Sequence, residues 1–300
     1  MDSARRDRLV LVDAYAQIYR AFYAIRGLTN DRGEPTNALF GMARFLLQLD
    51  EAFPSDWGAV TFDKGKAEER VQILPEYKAN RPPMPEDLRA QVPAIQEWMT
   101  AAGWPLVIHE GWEADDLIAL AVRERGDRPV VIVSGDKDLT QLVTDDVQLA
   151  LPGGKASFAM LDADGVREKF GVPPEAMVDY LSLVGDSSDN IPGVQGVGAK
   201  TAASLLQEFG SIDSLLRQVE AVPRKAVRES LKAAGPLLER NRMLVSPRTG
   251  TPDQWAGVGM MKRGEVDWDR LLDMARANQF KSLVSALEKA RDRDRTPRLF

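Results

Sequence analysis

The sequence predicts an α/β chain with a mostly parallel central sheet, flanking helices and a C-terminal helical domain. Three observations carry that prediction. Short runs rich in valine and isoleucine, "RLVLVD", "WGAVTFD", "WPLVIHE" and "RPVVIVSGD", have the apolar continuity of strands covered on both faces. Longer helical patterns such as "ALFGMARFLLQLDEAF" and "DLRAQVPAIQEWMTAAG" separate them, and this alternation is that of a covered parallel sheet. After about residue 160 the strand signal fades and helices dominate. The expected division is therefore an α/β core over residues 1–160 and a helical domain over 161–300.

Taken in chain order, the first strand closes on Asp13 and the second on Asp63. The next segment, "KGKAEERVQILPEYKANRPPMPED" at about 64–87, is long, polar and basic, and its prolines resist a simple helix. A connection longer than about 12–15 residues is more often functional than passive. The third strand runs into "GWEADDLIAL", which sets Glu113, Asp115 and Asp116 at a helix start, and the fourth into "SGDKDLTQL" with Asp136 and Asp138. Beyond come "DADGVREKFG", "PPEAMVDYLSLVG" and "GDSSDNIPG", the last placing Asp186 and Asp189 at a break between helices. "GVQGVGAKTAASLL" follows, and from Asp267 two short helices lead to a charged end.

Composition excludes several classes of chemistry. With 300 residues and ordinary apolar content the chain has room for one large or two ordinary domains. No stretch reaches the length of a membrane span or a signal h-region, so the expectation is a cytoplasmic location with no membrane partner; a monomer is expected as well. There is no cysteine, hence no disulfide, thiolate nucleophile or zinc-thiolate site. The single histidine, His109, lies near a strand end and is read as a surface or edge residue. The formal charge of −6 does not exclude a nucleic acid, because setting aside nine clustered acids leaves 39 basic against 36 acidic residues.

Carboxylates must then do any chemistry. One acid in a first helical turn caps free N–H groups, but further acids repel: like charges about 4 Å apart cost roughly 1 kcal/mol in water and about 4 at an effective dielectric near 20. In an open parallel sheet the ligand crevice lies beyond the carboxyl ends of the strands, where these five acidic segments converge. All-oxygen ligand sets suit hard cations, here Mg²⁺ or Mn²⁺. Two such ions support in-line displacement at phosphorus, which makes phosphodiester hydrolysis the leading reaction class.

Two further signals concern a partner. Gly193, Gly196 and Gly198 allow a tight interhelical turn whose N–H groups approach a phosphate, with Lys200 beside them. Such a hairpin reads a duplex backbone rather than base sequence. In the basic loop, Arg70, Lys78 and Arg81 offer cations and Tyr77 a stacking platform for an unpaired base.

Together "LVDAYAQIYRAF", "FDKGKAEERVQILPEYKANRPPMPEDL", "GWEADDLIAL", "SGDKDLTQLV" and "LVGDSSDNIPGVQGVGAKTA" resemble the bacterial 5′ nuclease family, most strongly the 5′→3′ exonuclease module of DNA polymerase I. The resemblance runs from about residue 8 to about 290. It implies a PIN-like, resolvase-like core and a helix-three-turn-helix at about 190–208. It also implies cleavage of DNA near 5′ flaps, junctions, and nicked or gapped duplex, leaving 5′-phosphate and 3′-hydroxyl ends. One ion is then held mainly by Asp13, Asp63, Glu113 and Asp115, with Asp116 also in the cluster, and a second by Asp136, Asp138, Asp186 and Asp189. Lys78 and Arg81 become phosphate contacts, Tyr77 the aromatic beside a nucleotide, and residues 64–87 a helical arch over a 5′ strand. Arg20, Arg70, Gly193, Gly196, Gly198 and Lys200 become DNA contacts, with a K⁺ ion on the hairpin carbonyls. A DNA polymerase, in cis or in trans, is the implied protein partner.

The chain departs from the family pattern at Ala14 and Tyr15, where glycine and a small polar residue are usual, and at Glu69, where an aromatic is usual. No acidic position is lost. That weighs against a catalytically weak DNA-junction binding protein, and the glycine hairpin weighs against a small RNA-directed nuclease of the PIN type.

Overall fold

The computed structural model describes residues 7–153 and 158–295. Its organising element is a six-stranded sheet made of β1 (Leu9–Asp13), β2 (Trp57–Phe62), β3 (Leu106–Ile108), β4 (Val130–Val133), β5 (Val147–Pro152) and β6 (Phe158–Leu161). In space the order is β3-β2-β1-β4-β5-β6, with all pairs parallel except the antiparallel β5–β6 edge. The four strands expected from the valine-rich runs are present. The sequence reading missed β5 and β6, whose "VQLALP" and "FAML" are short and interrupted by alanine and proline, weak β-formers.

Strand β1 shows why the sheet is buried on both sides. Leu9 and Leu11 join one core, while Val10 and Val12 join the other. The first core continues through the helix Ala114–Arg123 into the helical region, including Leu181, Leu206 and Leu238. The second lies under the helices Ala14–Ala24, Asn37–Ala52 and Val92–Ala101. It also takes Leu271, Met274, Leu283 and Leu287 from the closing helices Trp268–Ala277 and Lys281–Arg295. The last two helices, which the sequence reading grouped with the helical domain, thus pack against the α/β core. Their apolar residues recur at helical spacing, which shows a buried face but not which sheet it meets. Among the described residues no helix is long and apolar enough to cross a membrane.

Chain order places the site. From β1 the chain builds outward through β2 and β3, then returns to β4 on the other side of β1. This reversal between β1 and β4 opens a crevice at their carboxyl ends.

Candidate metal and phosphate site

Asp13 ends β1 and caps the helix after it, its Oδ1 accepting the Ala16 N–H at 3.2 Å. Its Oδ2 accepts the Ser134 hydroxyl at 2.8 Å. Ser134 follows β4 and also accepts the Asp136 N–H at 3.0 Å, so one hydroxyl ties two acids on neighbouring strands. Asp63 follows β2 and accepts the Ala114 N–H at 2.8 Å, at the start of the helix Ala114–Arg123. These acids line one cleft with Asp115, Tyr15, Lys78 and Arg81.

A second group stands beside it. The turn after β4 carries Asp136 and Asp138, and a hairpin with two-residue strands, Gly185–Asp186 paired with Ile191–Pro192, presents Asp186 and Asp189. The Asp186 carboxylate accepts both the N–H and the hydroxyl of Ser188, at 2.7 and 2.6 Å. Asp136 joins the groups, its N–H donating to the Ser134 hydroxyl that also binds Asp13 and its Oδ1 accepting the Asp138 N–H at 2.9 Å.

Cations hold this array in place. The Lys78 ammonium binds Glu113 and lies 3.6 Å from Asp189, while the Arg81 guanidinium binds Asp189. Lys137 lies 2.6 Å from Asp186. Lys78 adopts a left-handed backbone with φ of 54°, which costs a non-glycine residue energy and is retained where the surroundings impose it. Its N–H donates to the Asp189 carbonyl at 3.0 Å, Asn80 donates to the Ser187 carbonyl and Asn190 to the Glu76 carbonyl.

The charge balance is uneven. Burial pushes the Asp13 carboxyl up to about 7, aided by repulsion from Asp63 and Asp136 against the pull of Ser134 and Ala16. Asp138 is also pushed up to about 7, by burial first and then by Asp136, with Lys137 opposing. Asp63 and Asp115 are raised, chiefly by burial, and Asp115 further by Asp116. Glu113 goes the other way: burial disfavours its charge, but Lys78 and Arg70 more than offset it.

Two expected site residues, Arg70 and Tyr77, are placed differently from the sequence reading, and Asp116, which stays in the cluster, carries a further contact. Arg70 is buried, donating to Glu113, to both oxygens of Asp116 at 2.9 and 2.8 Å, and to the Leu244 and Ser246 carbonyls. It presents no surface to DNA, because two buried acids require its charge inside. Asp116 accepts those bonds and the Arg248 N–H at 2.9 Å, so although its oxygens lie within 4.8 Å of those of Glu113 and Asp115, its lone pairs face Arg70. Tyr77 is buried, with its hydroxyl 3.1 Å from Glu113 and 3.2 Å from Asp189, and shows no free face for stacking. Nor do residues 64–87 form a standing arch: they contain the short helix Glu68–Ile73 and the start of Glu86–Arg89, and lie against the 187–190 turn.

The departures from the family pattern also find places. Ala14 is fully buried, and Tyr15 meets Phe62 edge to face with centroids 5.5 Å apart. Glu69 pairs with Arg248, whose guanidinium lies 3.9 Å from the Trp112 ring centroid. Sequence reasoning missed Ser134, Lys137 and Arg248. The first two lie beside and between the aspartates of "SGDKD", the available signal, whereas Arg248 gave none.

The glycine hairpin joins the helix Met177–Val184 to the helix Ala199–Phe209. Gly196 has φ of 80°, Gly198 caps the second helix, and Lys200 is exposed in its first turn. A Cβ on Gly193 would lie 2.1 Å from the Val184 carbonyl oxygen. Gly193→Ala is expected to destabilise the chain by about 1–3 kcal/mol through forced backbone displacement; an unchanged urea midpoint would contradict the close packing. Arg20, expected at DNA, is exposed and donates to the Gly153 carbonyl.

Residues 8–171 match the model of the 5′-3′ exonuclease N-terminal resolvase-like domain, and residues 172–258 that of the 5′-3′ exonuclease C-terminal SAM fold. The chain is 35% identical over 283 residues to a 5′-3′ exonuclease of Aquifex aeolicus, covering 94% of this chain and 95% of that one. It is 45% identical over 237 residues to DNA polymerase I of Pseudomonas aeruginosa, covering 78% of this chain but 26% of the polymerase. The chain thus spans about a quarter of that relative's length. Its fold is similar to that of T5 5′-exonuclease with bound zinc ions, at a TM-score of 0.65 and 23% identity over 94% of this chain and 98% of the other. It is also similar to the catalytic core of Rad2 in complex with DNA substrate, at 0.63 and 17% identity over 95% and 94%.

Proposed function

Because the chain belongs to the 5′-3′ exonuclease family, we propose that it is a structure-specific 5′ nuclease, hydrolysing DNA phosphodiester bonds at 5′ flaps, junctions and nicked or gapped duplex. Exonuclease and flap endonuclease cleavage both leave 5′-phosphate and 3′-hydroxyl ends. The observation that carries this reading is the convergence of acids from β1, β2 and β4 in one cleft, with Lys78 and Arg81 beside them.

The residues fit divalent cations. The donor set is all oxygen, and Asp138 Oδ1 is buried without a hydrogen-bond donor among the described residues. Burial, with repulsion from neighbouring acids, raises the carboxyl pKa values of Asp13 and Asp138, so their charged forms favour a bound cation. Asp13, Asp63, Glu113 and Asp115 would hold one Mg²⁺ or Mn²⁺ ion, and Asp136, Asp138, Asp186 and Asp189 a second. When bound, such ions lower the pKa of water and stabilise charge on the leaving oxygen.

The chain's own residues do the rest. Ser134 and the Ala114 N–H fix the orientation of Asp13 and Asp63. Lys78 and Arg81 line the cleft, where a phosphate takes over the donors now given to Glu113 and Asp189 and gains stabilisation of its developing charge. The Gly193–Lys200 turn grips duplex through backbone N–H groups and the Lys200 charge, with K⁺ on its carbonyls, and so selects structure rather than sequence. A DNA polymerase in cis or in trans would fill the gap that cleavage leaves.

The test is cleavage of 5′-labelled flap DNA in Mg²⁺, Mn²⁺ and EDTA, beside a single-stranded RNA control. Metal-dependent cutting near the flap junction is the expected result. Tight flap binding without turnover in either metal would replace the reading with that of a junction-binding protein.

The same site predicts a pH dependence. Asp13 and Asp138 hold protons in the folded chain up to about pH 7, whereas unfolded aspartates ionise near 3.8. The folded state therefore binds more protons between these values, and metal-free stability falls as pH rises from about 4 to about 7. Mg²⁺ is expected to raise the melting temperature more at pH 8 than at pH 5. An equal or larger increment at pH 5 would contradict this assignment.

A further inference from the structure

We propose that Lys137 is a resident counter-ion of the second carboxylate group and competes with a divalent ion for Asp186 and Asp138. The inference rests on the metal reading above and adds an order of occupancy to it. Lys137 sits between the acids of the "GDKD" turn. Its ammonium lies 2.6 Å from Asp186 Oδ2 and 4.0 Å from Asp138 Oδ1. At the second distance it supplies charge but no hydrogen bond, and Asp138 Oδ1 stays buried with no donor among the described residues. An ammonium thus occupies the side of the group that a cation would take, without completing its coordination.

The two carboxylate groups differ at Asp13 and Asp63. Glu113 of the first group is paired with Lys78 and Arg70, but among the described residues Asp13 and Asp63 lie within ion-pair distance of no basic side chain; a hydroxyl and two backbone N–H groups orient them, and these bonds persist when an ion arrives. At the second group an arriving ion must take Asp186 from Lys137. The Lys137 side chain is 38% exposed, so its head can move to solvent without opening a cavity. The consequence is sequential filling, with a tighter ion at Asp13 and Asp63 and a weaker one at Asp138 and Asp186.

Titration calorimetry with Mn²⁺ alone, on the full chain without DNA, tests the inference in wild type, Lys137→Met and Lys137→Arg. Two classes of site are expected in wild type. Lys137→Met should tighten the weaker class at least tenfold and leave the stronger within twofold, and Lys137→Arg should retain the weak class. If the methionine variant does not fold, Lys137→Gln removes the same charge with a polar group. A weaker class that is unchanged or further weakened would show that the ammonium supports the ion rather than competing with it. Equal tightening of both classes would reduce the effect to net charge and overturn the proposal. Failure of wild type to bind any Mn²⁺ would instead remove the metal reading, and this inference with it.

Discussion

Asp115→Asn is expected to abolish flap cleavage and at the same time to raise the melting temperature of the metal-free chain. The two effects have one cause. Asp115 shares a helical turn with Asp116 and faces Glu113, and burial together with Asp116 holds its carboxyl well above the ordinary aspartate range, with Arg70 opposing. The amide removes that repulsion and keeps the oxygen that accepts the Asp116 N–H at 2.8 Å. A charge pair about 4 Å apart costs roughly 1 kcal/mol in water and more inside, so the expected gain is on the order of 1 kcal/mol. Activity falls by at least about 100-fold, the upper range for losing even an outer-sphere partner of a metal. Thermal unfolding in EDTA and single-turnover cleavage in Mg²⁺ check the two halves; a destabilised metal-free variant would contradict the account of crowding.

Arg70→Met has the largest expected effect on folding, about 3–5 kcal/mol, because it leaves Glu113 and Asp116 buried without their shared cation. The side chains of Arg70 and Asp116 are 4% and 1% exposed, so water cannot replace the pair. Arg70→Lys is expected to rescue little of this, since one ammonium cannot reproduce the two-point contact with Asp116 together with the Leu244 and Ser246 carbonyls. Urea denaturation measures the loss. An unchanged midpoint in Arg70→Met would show that the acids are neutral or hydrated there.

These two residues also mark what could be read in the sequence. The acids were legible because strand periodicity places Asp13, Asp63 and Asp136 after apolar runs, and sheet topology brings such positions to one edge. The strand and helix alternation gave the core for the same reason. Arg70 was read as open to DNA because motif spacing cannot tell a cation offered to a phosphate from one consumed by a buried carboxylate. That difference depends on Leu244 and Ser246, more than 170 positions away. Lys137 illustrates the converse: it lies within a motif, but its partner Asp186 arrives from a hairpin 49 residues later. The closing helices were recognised as helices, yet their return to the sheet depends on tertiary packing that no local pattern encodes.

The central claim is that the carboxylates beyond β1, β2 and β4 hold catalytic divalent ions. Anomalous scattering from Mn²⁺ in crystals of the full chain tests it most directly. The account predicts two peaks, one within coordination distance of Asp13, Asp63 and Asp115 and one among Asp136, Asp138 and Asp186, with Asp116 still paired to Arg70. A peak bound by Asp116 after Arg70 has swung away, or no peak in the cleft at all, would contradict it.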